Sequence, residues 1–312
     1  RPARAGSFAP VRRVPCSQSI QKFLKISALK RLPRMLPRLA AKKRTLDVNG
    51  VRIYFTDEGR GAAVVLLHGF MVSGYSTWQV SGFTSALFKK RRAITIDVRG
   101  HGRSGKPHGQ EAYGREMVAD VLRVLDHLSI DRAHVVGYSM GGFIALKLLT
   151  DHPERLISAT FAASGGVRED ADFVWSDTVA DQLEEGASLN DAMLSAPSLL
   201  PPHVEITARQ VRMLKAVCSR QDERALLAVL RSWRRLAVPY RQLAASAIPA
   251  LFVYGSDEIP ALRRYLAELE EIMGHAEFCM IDDVNHLTSM FSAEFQKSIL
   301  KFIEMNSGDR GD

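Results

Sequence analysis

From about Thr45 onward, short apolar runs alternate with segments of helical periodicity. The stretch TLDVNGVRIYFTDEG alternates apolar and polar residues on either side of Asn49-Gly50. That pair suits both left-handed positions of a two-residue turn, so two antiparallel strands are predicted to start a sheet. Ala62 to Leu67 (AAVVLL) and Arg92 to Ile96 (RAITI) are continuous apolar runs, the pattern of strands covered on both faces. Tyr113 to Leu128 carries Met117, Val121, Leu125 and Leu128 at helical spacing. Ala133 to Val136 reads as another strand, followed at once by a helix from about Gly141 to Asp151. Leu156 to Ala162, Ala250 to Tyr254 and Ala276 to Ile281 supply the remaining strands, and a helix from about Ala293 to Glu304 closes the chain. Strands alternating with helices predict an α/β domain on a doubly wound, mostly parallel sheet.

Between Gly165 and about Ala247 the strand pattern stops, and roughly four helical stretches rich in Leu, Ala, Arg and Glu replace it. An inserted helical cap, or lid, is expected there. The predicted organisation is therefore a basic N-terminal arm over residues 1–44, an α/β core over 45–164 and 248–306, and a cap over 165–247.

Composition sharpens this in two ways. With 312 residues, 46% hydrophobic and 24% charged, the chain can bury a sizeable core, and disorder is excluded for most of it. The net charge of +8 is unevenly placed: 13 Lys and Arg and no Asp or Glu precede Thr45, leaving 29 basic against 34 acidic residues, a net −5, in the rest. The core thus gives no electrostatic reason to expect a nucleic-acid groove. Cys16, Cys218 and Cys279 are too few and too scattered for a disulfide framework or a metal cluster, so a reducing compartment is expected. No run approaches the roughly 18 apolar residues of a spanning helix.

The N-terminal segment supports three readings. IQKFLKISALKRLPRMLPRLAA, Ile20 to Ala41, mixes apolar residues with Lys and Arg in the manner of a membrane-surface helix, but Pro33 and Pro37 interrupt it. An Arg-rich, acid-poor transit peptide is the second reading and a flexible basic arm the third. The sequence starts at Arg1 without Met, so processing or a fragment of a longer chain is allowed for. Cys16 in VPCS has no apolar run before it, which argues against a lipoprotein signal in the chain as it stands.

The strongest chemical signal is VVGYSMGG, residues 135 to 142: an apolar strand, then Gly137-Tyr138-Ser139-Met140-Gly141, then a helix-forming run. This is the strand-turn-helix context of a G-x-S-x-G nucleophile elbow. Ser139 would sit at a helix N-terminus, where free amides favour developing negative charge. Upstream, one buried strand ends in Leu67-His68-Gly69-Phe70 and the next in Asp97-Val98-Arg99-Gly100-His101-Gly102-Arg103-Ser104. These three motifs, in this order, resemble the α/β-hydrolase family over about residues 46 to 305.

The resemblance implies that Ser139 is the nucleophile and that the backbone N–H groups of Phe70 and Met140 form the oxyanion hole. It implies that His68, Asp97, Arg99 and His101 shape the loop beside the site without taking part in the chemistry. His286, in FCMIDDVNHLTSM after the last predicted strand, is expected to be the base, although Asn285 stands where the family usually has glycine. The triad acid lies in LFVYGSDEIP, where Asp257 and Glu258 are both able to accept the imidazole N–H. Glu258 has the family's usual spacing, but aspartate is the commoner residue and the loop before Pro260 looks one residue short, so Asp257 is the expectation.

The implied activity is hydrolysis of a small-molecule ester or related acyl bond through an acyl-enzyme, with no metal or organic cofactor. Serine at the elbow argues against haloalkane dehalogenase and epoxide hydrolase activities, for which members of this fold use a carboxylate. A C–C bond hydrolase or an acyltransferase would share the triad, and a ligand-binding protein on the same shell without turnover is the rival from another class. Arg231, Arg234 and Arg235 around Trp233 either contact an acidic substrate or form a solvated helix face. Membrane-surface contact is expected, if anywhere, of the basic arm.

Overall fold

The computed structural model describes residues 41–308 except 170, 172 and 197–207. The basic N-terminal arm falls almost wholly outside the described residues, so its three readings carry no structural test. Among the described residues, no helix is long and apolar enough to cross a membrane.

Strands β1 (Lys42–Val48) and β2 (Val51–Gly59) form the expected hairpin, with Asn49 and Gly50 both at positive φ, 51° and 81°. β1 begins three residues before Thr45 because Asp57 of β2 ties down both Arg44 (3.6 Å) and Arg92 (2.9 Å). Six parallel strands follow: β3 (Ala63–Leu67), β4 (Arg92–Ile96), β5 (Ala133–Tyr138), β6 (Leu156–Ala162), β7 (Ala250–Asp257) and β8 (Glu277–Asn285). The sheet order is β1-β2-β4-β3-β5-β6-β7-β8, with β2 antiparallel to β4.

The chain winds from β3 outward to β4, then returns across β3 to β5. That reversal opens a crevice at the C-terminal ends of β3 and β5, where parallel α/β sheets place their ligands. The loop after β3 carries His68-Gly69-Phe70, and the turn after β5 carries Ser139.

Alternation along β3 explains why both faces of the sheet are dry. Val65 and Leu67 enter one apolar cluster and Val64 and Leu66 the other, all fully buried. The first cluster packs under α2 (Arg115–His127) and α3 (Met140–Asp151); the second under α1 (Phe83–Leu87) and α10 (Ala293–Met305).

Between β6 and β7 the chain forms α4 (Val174–Glu184), α5 (Leu189–Ser195), α6 (Ala208–Cys218), α7 (Glu223–Ser232) and α8 (Tyr240–Ala244). α9 (Pro260–Ile272) then connects β7 to β8.

Candidate active site

The turn between β5 and α3 is built by what its glycines lack. A Cβ on Gly137 would stand 2.2 Å from the Gly141 carbonyl oxygen, and one on Gly141 would stand 2.3 Å from that of Leu67. Glycine at both positions lets strand, turn and helix close this tightly. Ser139 itself adopts φ 51° and ψ −117°, a conformation that L-residues rarely occupy and that costs of order 1–3 kcal/mol. The turn thereby projects the Ser139 side chain into the crevice.

Ser139 Oγ lies 2.9 Å from His286 Nε2, and His286 Nδ1 lies 2.7 Å from Glu258 Oε1. Glu258 is fully buried, and its Oε1 also accepts the Ile259 N–H at 2.9 Å. An ionised carboxylate accepts only, so Nδ1 carries the imidazole proton and Nε2 is left as the acceptor facing the Ser139 hydroxyl. The structure therefore brings together Ser139 and His286 as expected, but puts Glu258 in the position assigned to Asp257.

The correction has a physical reason. β7 does not stop at Tyr254; it runs on to Asp257, which pairs with Asn285 in the sheet. Only Glu258 and Ile259 lie between β7 and α9, and Glu258 is the first residue after the strand. Meanwhile β8 gains two residues on β7: Gly255 pairs with Ile281, yet Asp257 pairs with Asn285. The bulge is marked by Asp283 at φ 58°, whose N–H donates to Ser256 Oγ at 3.0 Å. It brings His286 level with Glu258. Gly255 makes the bulge possible, since a Cβ there would lie 2.0 Å from the Val284 carbonyl oxygen.

Asn285 does not need glycine's freedom here, because its φ is not positive. Its Oδ1 instead accepts the N–H groups of Leu287 (2.9 Å) and Thr288 (3.2 Å), which folds the loop back beneath His286. Tyr138 braces the same loop: its hydroxyl donates to the His286 carbonyl oxygen and lies 2.9 Å from Ser289 Oγ. Burial pushes the Tyr138 phenol pKa up, which keeps it a donor.

The two expected anion-binding amides lie beside the elbow. Met140 opens α3, where first-turn amides have no intrahelical acceptor. The loop of Phe70 packs against the nucleophile, with a Cβ on Gly69 falling 3.4 Å from that of Ser139. His68 explains how this loop is aimed. Its Nε2 accepts the Val98 N–H at 3.0 Å, so its Nδ1–H donates to the Gly69 carbonyl oxygen at 2.7 Å. In a trans peptide, a pinned Gly69 C=O fixes the Phe70 N–H on the opposite side of the same plane. Burial lowers the His68 pKa, against the pull of Asp97, and keeps the ring neutral.

The remaining motif residues are bracing, as the sequence implied. Asp97 accepts the N–H groups of Gly74 and Arg103, each at 2.8 Å. Arg99 grips Asp120 with two bonds of 2.6 Å. His101 is fully buried against His68 and Phe70, and burial with the nearby His68 pushes its pKa down to about 3.

Above these groups lies a cavity of about 680 Å³, lined by Ser139 and His286 together with Phe70, Phe143, Trp175 and Trp233. The two tryptophans stack at 6.1 Å, and Phe70 and Phe143 meet Trp233 edge-on at 5.4 and 5.3 Å. Composition and periodicity gave no sign of this wall, because its members come from four distant segments.

Arg234 and Arg235 stand exposed, in keeping with the solvated-face expectation, and Arg231 is partly covered. Arg231 pairs with Asp177, Asp181 and Glu184, and Arg234 grips Asp177 at 2.6 and 2.9 Å, so they clamp the Trp233 turn onto α4.

A model of the α/β-hydrolase fold family matches residues 62–202. Epoxide hydrolase B of Mycobacterium tuberculosis is 39% identical over 134 residues, which cover 39% of this chain and 36% of that protein. The 2-hydroxymuconate semialdehyde hydrolase of Pseudomonas sp. strain CF600 is 35% identical over 139 residues, covering 42% of this chain and 48% of the relative. The chain thus spans less than half the length of these two curated relatives. Among solved structures, the enol-lactonase from Burkholderia xenovorans LB400 superposes with a TM-score of 0.67 at 25% identity, over 84% of this chain and all of that one.

Proposed function

We propose that the chain, which has the α/β-hydrolase fold, is a serine hydrolase that cleaves an ester or related acyl bond through an acyl-enzyme. The observation that carries this reading is the continuous hydrogen-bond chain from Ser139 Oγ through His286 to the buried Glu258. A serine hydroxyl is a weak nucleophile until a base takes its proton as it attacks. His286 Nε2 is positioned to take that proton, and Glu258 holds the ring in the required tautomer and stabilises the imidazolium that forms.

The carbonyl oxygen, negative in the tetrahedral intermediate, turns toward the Phe70 and Met140 amides, each such donor being worth roughly 3 kcal/mol. His286 then gives its proton to the leaving oxygen, and the acyl group stays on Ser139. Water, deprotonated in turn by His286, attacks the acyl carbon and releases the acid.

The similarity to an epoxide hydrolase does not favour epoxide opening here. Attack of Ser139 Oγ on an epoxide carbon would leave an alkyl ether, which offers no carbonyl for water to attack, so turnover would stop. Carbon–carbon cleavage is the second reading, favoured by the semialdehyde hydrolase similarity, since the same acid–base chain serves it.

Intact-mass labelling with a fluorophosphonate tests the proposal. One adduct per chain, absent from Ser139→Ala, is the expected result. A folded wild type that takes no label would favour a binding protein on a hydrolase shell.

A further inference from the structure

Phe70, whose backbone N–H is one of the two proposed oxyanion donors, is held by two sets of contacts. His68 pins the Gly69 carbonyl oxygen at one end of the peptide. The Phe70 ring is enclosed by other rings, all met edge-on: His101 of the core at 5.7 Å, and Trp233 and Trp175 of the cap at 5.4 and 6.5 Å. The loop needs such support, because Met71, next along the chain, holds φ 62°, a left-handed conformation that a residue with a Cβ rarely adopts.

Of the two cap rings, Trp233 is the more firmly fixed. It is only 8% exposed, and the turn it opens after α7 is tied on two sides. Arg231 and Arg234 join the turn to α4, and the Gln110 amide of the core loop before α2 donates to the Arg231 carbonyl oxygen at 2.8 Å. A Cβ on Gly114 would stand 2.7 Å from that of Arg235, so core loop and cap turn are also in direct contact.

We infer that Trp233 is a positioning residue for the oxyanion hole: its ring holds the Phe70 ring and thereby fixes the direction of the Phe70 N–H. The inference rests on the serine hydrolase reading for the use of that N–H, though not for its placement. Ring and amide nitrogen hang from the same Cα. Once the ring is released, the strain at Met71 relaxes through the loop, and the N–H leaves the point where the oxyanion forms. A donor displaced by about an ångström loses most of its worth there, because the charge develops at one place only. A seated cap thus completes the site as well as walling it.

An ester and a thionoester of the same acid and alcohol test the inference. They fill the cavity alike, but sulfur is a weak acceptor, so only the ester gains fully from an aligned N–H. Trp233→Leu should lower kcat on the ester by about 10- to 100-fold and the ester-to-thionoester ratio of kcat/KM by about tenfold, with Trp233→Phe restoring most of both. Equal slowing of the two substrates, as from a reshaped cavity alone, would overturn the inference. Should Trp233→Leu fail to fold, Arg231→Met combined with Arg234→Met takes its place with the same two outcomes, since neither arginine lines the cavity.

A second measurement needs no turnover. In Ser139→Ala protein carrying isotope-labelled phenylalanine, the residual dipolar coupling of the Phe70 N–H should change when Trp233→Leu or the double arginine change is added, while those of Phe55 and Phe161 in the sheet stay as they are. An unchanged Phe70 coupling would equally sink the inference. If wild type cleaves neither substrate, the hydrolase reading fails, and the coupling still decides whether Trp233 orients Phe70.

Discussion

Replacing Glu258 by Gln keeps the side chain's shape and removes its charge. An amide donating to His286 Nδ1 would force the proton onto Nε2, where it cannot receive that of Ser139. A loss of about 10³-fold or more in kcat is expected for Glu258→Gln, against less than about threefold for Asp257→Asn. Steady-state assays on the two variants check this, and the reverse order would return the acid role to Asp257. His68 offers a second measurement at this scale. His68→Ala frees the Gly69–Phe70 peptide to rotate, so kcat should fall by about 10- to 100-fold with KM little changed. Ser139 and His286 were legible in the sequence because each sits in a motif whose neighbours have a structural reason to be there. Asp257 and Glu258 were not separable, since the residue that faces His286 is decided by a bulge in β8, a strand 20 residues farther on.

That bulge belongs to the scale of elements, where one Cβ can shift a catalytic group. Gly255→Ala meets the Val284 carbonyl oxygen at 2.0 Å, too close for either backbone to yield cheaply. The variant should lose about 1–3 kcal/mol in a denaturant titration and most of its turnover, because the register that levels His286 with Glu258 is disturbed. Wild-type activity in a folded Gly255→Ala protein would show that the bulge is not needed. The core strands and the helices α2, α3 and α10 were predicted to within a few residues, since each buries a whole face or stripe and so must repeat its apolar residues at the period of the element, whereas α1 and α9 were not predicted. The partners of the cap arginines were not legible for a related reason: Arg231 and Arg234 answer carboxylates on α4 some 50 residues away, and side-chain pairing across an interface leaves no period.

At the scale of the whole molecule, the fold was open to sequence reasoning through the order of its motifs, whereas the aromatic cavity, assembled from distant segments, was not. Buried neutral histidines set the molecule's response to acid. Burial holds His101 at about 3 and His134 at about 4, and lowers His68 as well, against 6.5 for an exposed ring. The unfolded chain therefore takes up protons that the folded one refuses, so stability falls as pH drops below about 6.5. The loss should approach about 1.4 kcal/mol per pH unit for each such histidine, and urea midpoints measured between neutral pH and pH 5 read it directly. A midpoint independent of pH over that window would contradict the assignment. The same trade between order and function is built into the elbow, where φ 51° at Ser139 is held against the residue's own preference. Glycine would accept that geometry without strain. Ser139→Gly should therefore melt at a higher temperature than Ser139→Ala while being equally inert, so selection for thermal endurance alone would erase the nucleophile, and its persistence marks a cost in robustness that only activity repays.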